Sequence, residues 1–386
     1  MAGIFGCLRG SEERERFASE LGAYFDVRHC FLLSSGKAGL AVILEALHDL
    51  RPARDQVLIP AFTCYSVPSA IRRAGLKVSL CDIDPATLDF DRAQLARILG
   101  REAGARILAV VPTHLFGLSA DVGRARELAG ACEAFVVEDA AQAMGAHHGR
   151  SQAGAVGDVG FFSLGRGKAL CAVGGGIVLT DRDDIAERVE AHVRALPRDR
   201  LLDGLKLILY AFALALFIHP RLFWFPRMLP FLKLGETIYD PGFPIRRLSS
   251  FQAGMTRGWQ RRLERLRSRR GENARRWMAA VDGAAFKPIV AEVPENLIRF
   301  PVLAPTRDRR EAAVGGGTGA VLGIAPAYPG TVDSIRELDF TDRTDRFPGA
   351  REVAERLFTL PVHPLLSGRD MQEIEDWISR LATNAP

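Results

Sequence analysis

Short apolar runs alternate with amphipathic stretches of helical length between residues 20 and 200. Seven of the apolar runs predict strands: Phe31-Leu-Leu, Val57-Leu-Ile, Val78-Ser-Leu-Cys-Asp-Ile, Ile107-Leu-Ala-Val-Val, Phe135-Val-Val-Glu, Val159-Gly-Phe-Phe-Ser and Gly176-Ile-Val-Leu-Thr. Five amphipathic stretches predict helices between them: Lys37–Leu50, Ser66–Ala74, Asp91–Leu99, Asp121–Ala131 and Asp184–Arg194. This alternation favours an α/β fold with a large, mostly parallel sheet that carries helices on both faces.

The pattern changes after these elements and predicts three parts of the chain. Residues 1–200 are expected to form a large α/β domain. Residues 201–240 form an apolar insert, and residues 241–386 are expected to form a helix and a small C-terminal α+β domain. That last part contains an extended run at 297–303 and a closing helix from Asp370 to Leu381.

The insert contains a run of 12 residues without a charged or strongly polar side chain, Leu207–Ile218. A membrane-spanning helix needs about 20 apolar residues, so this run is too short to cross a bilayer. Two interpretations stay open. The run is a buried core helix or an oligomer contact, or the segment 205–234 lies in the membrane interface. In the second case Trp224 would lie near the headgroups, and Arg221 and Arg227 would face anionic lipid.

Composition and charge exclude several classes of protein. The chain has 386 residues, of which 48% are apolar and 25% charged, as in a globular protein rather than a disordered or collagen-like one. The net charge is +5, but nine arginines and two glutamates between Arg257 and Arg276 contribute +7, so the remaining residues sum to −2. A nucleic-acid-binding protein would be basic over a broad face, and this chain is not.

The arginine-rich segment itself predicts a helix. Trp259, Leu263, Leu266 and Trp277 have the spacing of one apolar helical stripe, with the arginines mostly on other faces. We expect a solvated helix that packs on one side, and a phosphate-binding face is the alternative.

Cysteine usage and the first residues indicate the compartment. The six cysteines are scattered singly, which argues against a disulfide scaffold or a zinc cluster and suits the reducing cytoplasm. The apolar stretch after Met1 is too short for a signal peptide. We therefore expect a cytoplasmic protein that binds no metal.

A predicted helix begins directly after the first predicted strand, in the stretch Ser34-Ser35-Gly36-Lys37-Ala38-Gly39. In mostly parallel sheets, ligands bind at the carboxyl ends of the strands. Backbone amides at a helix N-terminus, flanked by small residues, form an anion site, and Lys37 would add a positive charge. Taken alone, such a stretch is more often a simple turn.

Two further stretches place ionisable groups where strands end. Asp139 follows the most apolar central strand, and a buried carboxylate there needs a cationic partner or caps a helix. Lys168 lies among glycines in apolar surroundings, where loss of hydration favours the neutral amine that attacks a carbonyl. A structural lysine is the alternative, and the spacing in Gly165-Arg-Gly-Lys168 does not match a P-loop.

An anion site, an amine and a carboxylate together suit a ligand that carries a phosphate, an aldehyde and a basic ring nitrogen. Pyridoxal 5'-phosphate carries all three. The amine would bond to the aldehyde carbon, and the helix start would hold the phosphate. The carboxylate would pair with the ring nitrogen so that the ring can accept electrons.

With these residues in place, the chain resembles the DegT/DnrJ/EryC1/StrS family of pyridoxal-phosphate-dependent sugar aminotransferases. The matching stretches follow the family's order: Ser35-Gly36, Val57-Leu-Ile-Pro60-Ala-Phe-Thr63, Val78 to Leu88, Val111-Pro-Thr-His114-Leu-Phe-Gly117, Glu138-Asp139-Ala-Ala-Gln142, Phe162-Ser163 with Lys168, and Leu360-Pro361-Val-His363-Pro364. They cover most of the chain outside residues 200–240. The resemblance implies fold type I, with the cofactor bound by the large domain.

The resemblance also implies roles for individual residues. Lys168 is expected to be the Schiff-base lysine that moves protons between cofactor and substrate carbons, and Asp139 is expected to hold the pyridine nitrogen. Gln142 would lie near the phenolic oxygen of the ring. His114 is expected at the floor of the pocket or as a core histidine with its hydrogen bonds satisfied.

The phosphate and the face of the ring have their own candidates. Ser35, Gly36, Lys37 and Ser163 are expected to contact the phosphate. Where the family places a ring-stacking side chain after Pro60, this chain has Cys64 and Tyr65. Tyr65 is favoured because only Tyr65 has an aromatic face.

Four departures from the family pattern concern the phosphate, the dimer contact and the substrate. Lys37 replaces the usual Thr, and Val173-Gly-Gly-Gly176 replaces Gly-Glu-Gly-Gly. The stretch Gly242-Phe-Pro-Ile-Arg246-Arg247 lacks the Asn that the neighbouring subunit contributes, so Arg246 or Arg247 would have to replace it. The insert is also longer and more apolar than in the family.

The resulting expectation is a pyridoxal-phosphate-dependent aminotransferase. It would move an amino group from an amino acid, preferably glutamate, to a nucleotide-linked keto-sugar in surface-polysaccharide or amino-sugar biosynthesis. The expected partners are these small molecules and a second copy of the chain in a homodimer, with no nucleic acid. The expected location is the cytoplasm, including contact of segment 205–234 with the inner face of the membrane.

Two alternatives remain at this point. The first is a catalytically weak, membrane-associated family member in a glycan pathway, which the insert and the two missing motif residues favour. The second is a pyridoxal-phosphate-dependent sugar dehydratase. In the family's dehydratases a His replaces the lysine, so Lys168 favours amino transfer.

Overall fold

The structure is a computed structural model, and the residues that it describes are 3, 10–100, 102–149, 151–197, 201–217, 237–281, 286–315, 318–338, 340 and 346–383. They include twelve strands: β1 His29–Leu33, β2 Gln56–Pro60, β3 Lys77–Cys81, β4 Ile107–Val110, β5 Phe135–Asp139, β6 His147–His148, β7 Ser151–Gln152, β8 Val159–Ser163, β9 Gly176–Thr180, β10 Lys287–Pro288, β11 Arg299–Leu303 and β12 Leu357–Pro361. They also include thirteen α-helices: α1 Ser11–Phe25, α2 Gly36–Leu50, α3 Ser66–Arg73, α4 Arg92–Leu99, α5 Val122–Ala131, α6 Asp183–Ala195, α7 Leu201–Phe217, α8 Ser250–Met255, α9 Trp259–Val281, α10 Arg307–Val314, α11 Thr318–Val321, α12 Pro348–Arg356 and α13 Gly368–Thr383.

Seven strands form the central sheet in the order β1-β9-β8-β5-β4-β2-β3. Neighbouring strands are parallel except where β9 is involved, which runs antiparallel to both β1 and β8. The seven predicted strands and the five predicted helices are present, so the prediction of a mostly parallel α/β sheet is confirmed.

Alternating side chains of the sheet pack against different helices. Val57 and Val137 belong to the core that includes the apolar helix α2. Leu58 and Val136, each one residue along the same strands, pack with α4 and α5 in a separate core. Because successive side chains of a strand point to opposite faces, helices cover both faces of the sheet. Because helices cover both faces of such a sheet, ligands bind at the carboxyl ends of its strands.

A smaller antiparallel sheet of β10, β11 and β12 forms in the C-terminal part of the chain. Phe300 and Phe358 of this sheet pack with Trp277 of α9 and Ile374 of α13 in a fully buried core. The extended run around β11 and the closing helix α13 are confirmed. The predicted division of the chain at residues 200 and 240 stays a prediction.

Helix α9 has the predicted apolar stripe. Trp259, Leu263 and Trp277 are buried, and Leu266 is half-buried. Several of its arginines form ion pairs near the surface, as Arg276 does with Glu375. The expectation of a solvated helix that packs on one side is confirmed for most of its length, and Arg270, described below, is the exception.

Helix α7 contradicts the prediction that the apolar run is a buried core helix. None of its residues 204–216 is buried, and Phe212 is 75% exposed. Residues 218–236, which include Arg221, Trp224 and Arg227, lie outside the described residues. Among the described helices, none is both long and apolar enough to cross a membrane. The interpretations as an oligomer contact and as an interfacial helix stay open.

Glu13 of α1 forms an ion pair with Arg257, which lies between α8 and α9. Because Glu13 is ionisable, we expect the stability of the fold to depend on pH. Its buried carboxylate accepts hydrogen bonds from the guanidinium groups of Arg257 and Arg16. The Arg257 hydrogen bond lowers the pKa of Glu13 to about 2, although burial acts in the opposite direction. Since the folded-state pKa lies below the unfolded one, this stabilisation is complete above pH 4.5 and is lost as the pH falls towards about 2.

We therefore expect Glu13→Gln to lower the free energy of unfolding by about 1–3 kcal/mol at pH 7, the range for hydrogen bonds to charged groups. The difference from the wild type should shrink as the pH falls from 4.5 towards about 2. Urea unfolding of both proteins at several pH values measures it. A difference that does not change with pH would show that the charge of Glu13 is not the cause.

Candidate active site

Asp139 ends the buried central strand β5, and its carboxyl group lies at the carboxyl edge of the sheet. The residue is 5% exposed, and within the described residues its carboxyl accepts a 3.0 Å hydrogen bond from the Ala141 amide. Burial raises the pKa of Asp139, while the Ala141 hydrogen bond and the charge of Lys168 lower it in part. The charge of Lys168 therefore acts on this carboxylate, although 28 residues separate the two positions along the chain. A buried acid of this kind is suited to pairing with a cation.

Lys168 lies in the loop between β8 and β9, and a buried arginine holds the backbone of that loop. The guanidinium of Arg270 donates hydrogen bonds of 3.0 Å and 3.1 Å to the carbonyls of Lys168 and Ala169. Burial lowers the pKa of Arg270 to about 10. The buried guanidinium of Arg270 has exchanged water for these two carbonyls. Breaking the hydrogen bonds would leave a buried charge and two carbonyls unpaired, so Arg270 holds the loop backbone in place.

Sequence reasoning missed Arg270, which was counted among the solvated arginines of α9. A signal for it was available in the spacing of the apolar stripe. Positions 263, 270 and 277 are seven residues apart, and the first and last are buried apolar residues. Residues at this spacing share one helical face, so an arginine at position 270 had to be buried.

The start of α2 lies against the end of β8, as the phosphate site requires. Ser35 caps the helix, and its hydroxyl accepts a 3.1 Å hydrogen bond from the Ala38 amide. A Cβ on Gly36 would come within 2.9 Å of the Cβ of Ser163, so the close approach of the two elements requires glycine at this position. Three of the four predicted phosphate residues, Ser35, Gly36 and Ser163, are thereby brought together.

Lys37 is directed elsewhere. Its Nζ lies 3.5 Å from a carboxylate oxygen of Asp240 and 4.3 Å from the centre of the Phe243 ring. The expectation that Lys37 contacts the phosphate is therefore not supported by the position of its side chain. Its ammonium group instead contacts Asp240 and Phe243, which precede Arg246 in the chain. The sequence alone did not indicate that this segment lies beside Lys37.

Tyr65 has a different environment from the one expected of a ring-stacking residue. Its hydroxyl lies 3.3 Å from the Thr331 carbonyl and 3.3 Å from the Ser334 hydroxyl, and the residue is buried. Burial raises the pKa of the Tyr328 phenol well above its usual value, and Cys64 and Asp139 add to that shift. The ring-stacking role of Tyr65 stays a prediction.

Gln142 lies one turn after Asp139 and is buried. Its Oε1 accepts a 3.2 Å hydrogen bond from the Phe116 amide, and its Nε2 donates a 2.8 Å hydrogen bond to the hydroxyl of Tyr328. The second Nε2 hydrogen remains for another acceptor. The predicted place of Gln142 beside a ligand oxygen is compatible with this arrangement.

His114 is a core histidine with both ring nitrogens bonded. Its Nδ1 accepts a 3.0 Å hydrogen bond from the Ala120 amide, so Nε2 carries the hydrogen that it donates to Glu138 at 3.1 Å. Burial alone would raise the pKa of Glu138, but His114 and the Gly157 and Gly154 amides lower it below its usual value. Of the two expectations for His114, the structure favours the satisfied core residue.

The two arginines that replace the family's Asn differ in their surroundings. The guanidinium of Arg247 donates 3.0 Å hydrogen bonds to the carbonyls of Val193 and Arg194, at the end of α6 in the same chain. The backbone of Arg246 is joined to Ser34, next to the start of α2. The Arg247 side chain is thus bonded within its own chain, and the replacement of the family's Asn by Arg246 or Arg247 stays a prediction.

Val173 stands in the Lys168 loop with a backbone conformation that valine rarely adopts. Its φ is +69°, in the left-handed region where a β-branched side chain is strained. The family has glycine at this position, according to the motif comparison above. A glycine at this position would avoid the strain, which lies five residues after Lys168.

We expect Val173→Gly to raise the free energy of unfolding by about 0.5–1 kcal/mol. Relief of the left-handed conformation is worth about 1–2 kcal/mol, and the added freedom of glycine in the unfolded chain offsets about half of that. Urea unfolding measures the change. Val321→Gly, at a 78% exposed helical position, is the matched control and should destabilise instead. A loss of stability in Val173→Gly would contradict the assigned strain.

Two surface clefts of the described part of the chain lie away from the candidate site. That part of the chain holds no group of three or more His, Cys, Asp or Glu side chains arranged for a metal. A surface cleft of about 290 Å³ is lined by Arg307, Arg310 and Arg351, and another of about 420 Å³ by Arg72 and Tyr239. Neither cleft is lined by Lys168 or Asp139.

The residues at the strand ends fit pyridoxal 5'-phosphate. The buried carboxylate of Asp139 suits a protonated ring nitrogen, and the amine of Lys168 acts on the same region. The close approach at Gly36 leaves a capped helix start beside Ser163, where backbone amides favour a phosphate. Each of the three chemical groups of the cofactor therefore has a counterpart in this chain.

Known proteins with related sequences and structures include sugar-modifying enzymes. Over 193 residues the chain is 36% identical to the L-glutamine:2-deoxy-scyllo-inosose aminotransferase of Streptoalloteichus tenebrarius, a match that covers 50% of this chain and 44% of that protein. The chain thus spans about half the length of the curated relatives that it matches. The aligned region is therefore about half of this chain and less than half of the Streptoalloteichus tenebrarius enzyme.

Solved structures with the same fold cover nearly the whole chain. Helicobacter pylori PseC, an aminotransferase involved in the biosynthesis of pseudoaminic acid, superposes with a TM-score of 0.76 at 15% identity over 100% of this chain and 97% of its own. The E. coli GDP-4-keto-6-deoxy-D-mannose-3-dehydratase with bound hydrated PLP gives a TM-score of 0.72 at 16% identity over 95% of this chain and 91% of its own. These likenesses confirm the predicted fold type I architecture.

A family model matches almost the full sequence, including the stretches that carry the motifs. The model of the DegT/DnrJ/EryC1/StrS aminotransferase family covers residues 6–379. That range includes Asp139, Lys168 and every other residue considered for the site. The chain belongs to the DegT/DnrJ/EryC1/StrS aminotransferase family.

Proposed function

We propose that the protein is a pyridoxal-phosphate-dependent aminotransferase that aminates a keto-sugar. The observation that carries the proposal is the buried carboxyl group of Asp139 at the carboxyl edge of the central sheet. The capped start of α2 lies against Ser163, and Lys168 lies near enough to Asp139 for its charge to lower the pKa of that carboxyl in part. Family membership supports this interpretation of these residues.

Bound pyridoxal phosphate supplies an electron-accepting ring next to the carbon that loses a proton. The chain's own residues hold and orient it. Asp139 keeps a positive charge on the ring nitrogen, and the amides at the start of α2 with Ser163 bind the phosphate. Lys168 carries the mobile proton at its Nζ, and Arg270 fixes the backbone from which that side chain extends.

The substrates are an amino acid and a keto-sugar that we expect to be nucleotide-linked. Glutamate remains the expected donor, and glutamine is tested beside it because the matched Streptoalloteichus tenebrarius enzyme is named for L-glutamine. The acceptor of that enzyme is a cyclic ketone, so the panel of acceptors includes a keto-inositol. The biological role that fits these substrates is amino-sugar or surface-polysaccharide biosynthesis.

The direct test is a half-reaction followed by absorption. The purified protein is loaded with pyridoxal phosphate and mixed with glutamate or glutamine, and the visible band of the bound cofactor is followed. The proposal predicts loss of this band with one donor, and its return after a keto-sugar nucleotide is added. A protein that takes up no cofactor, or whose band neither donor changes, would contradict the proposal.

A dehydratase of the same fold is the enzyme class to exclude. Lys168 supports amino transfer, because the dehydratases of the family carry a His at the corresponding position. Product analysis with an ¹⁵N-labelled donor separates the two reactions. Amino transfer places the label on the sugar, whereas a dehydrated product without label would assign the chain to the other class.

We propose further that the enzyme is a homodimer whose partner subunit contributes Arg246 to each site. The motif position of Arg246, where the family carries the Asn that the neighbouring subunit contributes, supports this assignment. The variants Lys168→Ala and Arg246→Ala should each be inactive, and a mixture should regain activity through sites that combine both intact residues. A mixture without activity, or an active Arg246→Ala protein, would contradict shared sites.

A second function, binding to an anionic membrane surface, is favoured by helix α7. Leu205, Leu209, Phe212 and Leu216 follow one side of the helix at the spacing of an apolar stripe, and each is at least 52% exposed. Lys206 adds a positive charge on the helix, and the Arg166 guanidinium lies 5.9 Å from the Tyr210 ring. An apolar stripe edged by cations suits the interface of a bilayer with anionic lipids, at the cytoplasmic face.

Flotation with vesicles tests this second function. We expect the wild type to float with phosphatidylglycerol vesicles and to bind phosphatidylcholine vesicles more weakly, and we expect Leu209→Glu/Phe212→Glu to abolish binding. Val321→Glu, at an exposed apolar position outside α7, is the matched control. If the wild type does not float and the double variant dissociates into monomers, α7 is a contact between copies of the chain instead.

A further inference from the structure

Tyr328 is a buried phenol that connects the C-terminal part of the chain to the candidate site. It lies between α11 and α12, in a segment that returns to the large sheet, where the Val332 amide donates a 2.8 Å hydrogen bond to the Ala61 carbonyl. Its hydroxyl oxygen accepts the 2.8 Å hydrogen bond from Nε2 of Gln142. A residue 186 positions away thus contacts the side chain of Gln142, three residues after the end of β5.

Two aromatic rings hold the phenol in place. The Phe116 ring is nearly parallel to the Tyr328 ring, at 20° and 6.4 Å between centres, and the Phe62 ring packs at 5.2 Å with a tilt of 58°. Phe116 itself has φ +58°, a left-handed conformation that is uncommon for an aromatic residue. Strained backbone of this kind persists where its surroundings fix it, and it clusters at functional sites.

The same contacts determine the orientation of the Gln142 amide. The Phe116 amide hydrogen needs an oxygen acceptor, so Oε1 faces Phe116 and Nε2 must face Tyr328. Burial raises the pKa of Tyr328 well above its usual value, with Cys64 and Asp139 adding to the shift, so the hydroxyl stays protonated. Within the described residues, the hydroxyl hydrogen has no acceptor of its own.

We propose that Tyr328 is a positioning residue that aims the second Nε2 hydrogen of Gln142 at the phenolic oxygen of the cofactor. The inference rests on the proposed function and on the expected place of Gln142. A hydrogen bond donated to this oxygen favours its ionised form and lowers the pH at which the bound cofactor changes its visible absorption. Without the Tyr328 hydroxyl, the Gln142 amide loses one of its two anchors and this donation weakens.

The test is a pH titration of the visible absorption band of the holoenzyme. We expect Tyr328→Phe, which keeps the ring, to raise the midpoint by roughly half to one pH unit, as when one hydrogen bond to an ionised oxygen is weakened. Gln142→Leu should raise it at least as much, and the double variant should show no further shift, because the two residues act as one unit. Tyr24→Phe is the matched control, since Tyr24 packs against Trp259 and Phe25, and its midpoint should equal that of the wild type.

Unchanged midpoints in Tyr328→Phe, or additive shifts in the double variant, would overturn the positioning role while leaving the proposed function intact. A wild-type protein with no visible band would overturn the proposed function and this inference together. Gln142→Leu keeps the inference falsifiable if Tyr328→Phe does not fold. In that case an unchanged midpoint for Gln142→Leu contradicts it.

Discussion

Replacing Lys168 by Ala is expected to abolish amino transfer, with a loss in kcat of about a thousandfold or more. In the proposed function the amine at this position would both bond to the cofactor and move the proton, and removal of a general acid–base group alone costs about 10²–10⁴-fold. The absorption-detected half-reaction with glutamate or glutamine measures the loss. Because the side chain leads from a loop whose backbone Arg270 holds, we expect the variant to stay folded.

Lys287→Ala is the control for this experiment. Lys287 is an exposed lysine in β10, so its loss should change neither the half-reaction nor the visible band. Added methylamine provides a second check, since a small amine can occupy the space of the missing side chain and restore part of the proton transfer. A Lys168→Ala protein with more than a tenth of the wild-type rate would contradict the assigned role.

Asp139→Asn is expected to slow the half-reaction by about a hundredfold or more while the cofactor still attaches to the protein. The substitution keeps the shape of the side chain and removes the charge that stabilises a protonated ring nitrogen. Losses of about 10²–10³-fold are typical when one preorganised partner of a developing charge is removed from a buried site. Stopped-flow absorption measures the rate, and borohydride trapping measures the attachment.

The difference between these two variants is the diagnostic result. Lys168→Ala should lose covalent attachment of the cofactor, whereas Asp139→Asn should retain attachment and lose rate. Asp376→Asn, on the surface of α13, serves as the control for loss of a carboxylate. Equal rates for the wild type and Asp139→Asn would show that this carboxylate does not pair with the ring.

The sheet and its helices could be predicted because the apolar runs between residues 20 and 200 are short and the central strands are buried on both faces. Strand β4 is a fully buried apolar run and β5 begins with one, Phe135-Val-Val137, and amphipathic helices separate the strands. The same pattern placed Asp139 at the strand end, since Asp139 is the last residue of β5, after Phe135-Val-Val137 and Glu138. The local sequence was therefore enough to predict the strands and the residues at their ends.

Residues whose roles depend on distant contacts could not be predicted. Tyr328 meets Gln142 only after the C-terminal part folds back on the sheet, and no periodicity of its own segment indicates that contact. Lys37 was assigned to the phosphate from its place at a helix start, but Asp240 lies within reach of its ammonium group. In both cases a tertiary partner decided where the side chain points.

Helix α7 shows a related limit. An apolar run of this length is common in protein cores, and burial in the core was one of the interpretations that the sequence left open. Residues 204–216 instead are half-buried or exposed, and none of them is buried. Hydrophobicity predicts that a surface will be covered, but it does not say whether the chain itself, a second copy or a lipid covers it.

Borohydride reduction of the pyridoxal-phosphate-loaded wild type, followed by peptide mapping with mass spectrometry, tests the central claim most directly. The account predicts a single stoichiometric phosphopyridoxyl modification, on the peptide that contains Lys168. Modification of another lysine such as Lys37, or a protein that retains no reduced cofactor, would contradict the assignment of this site.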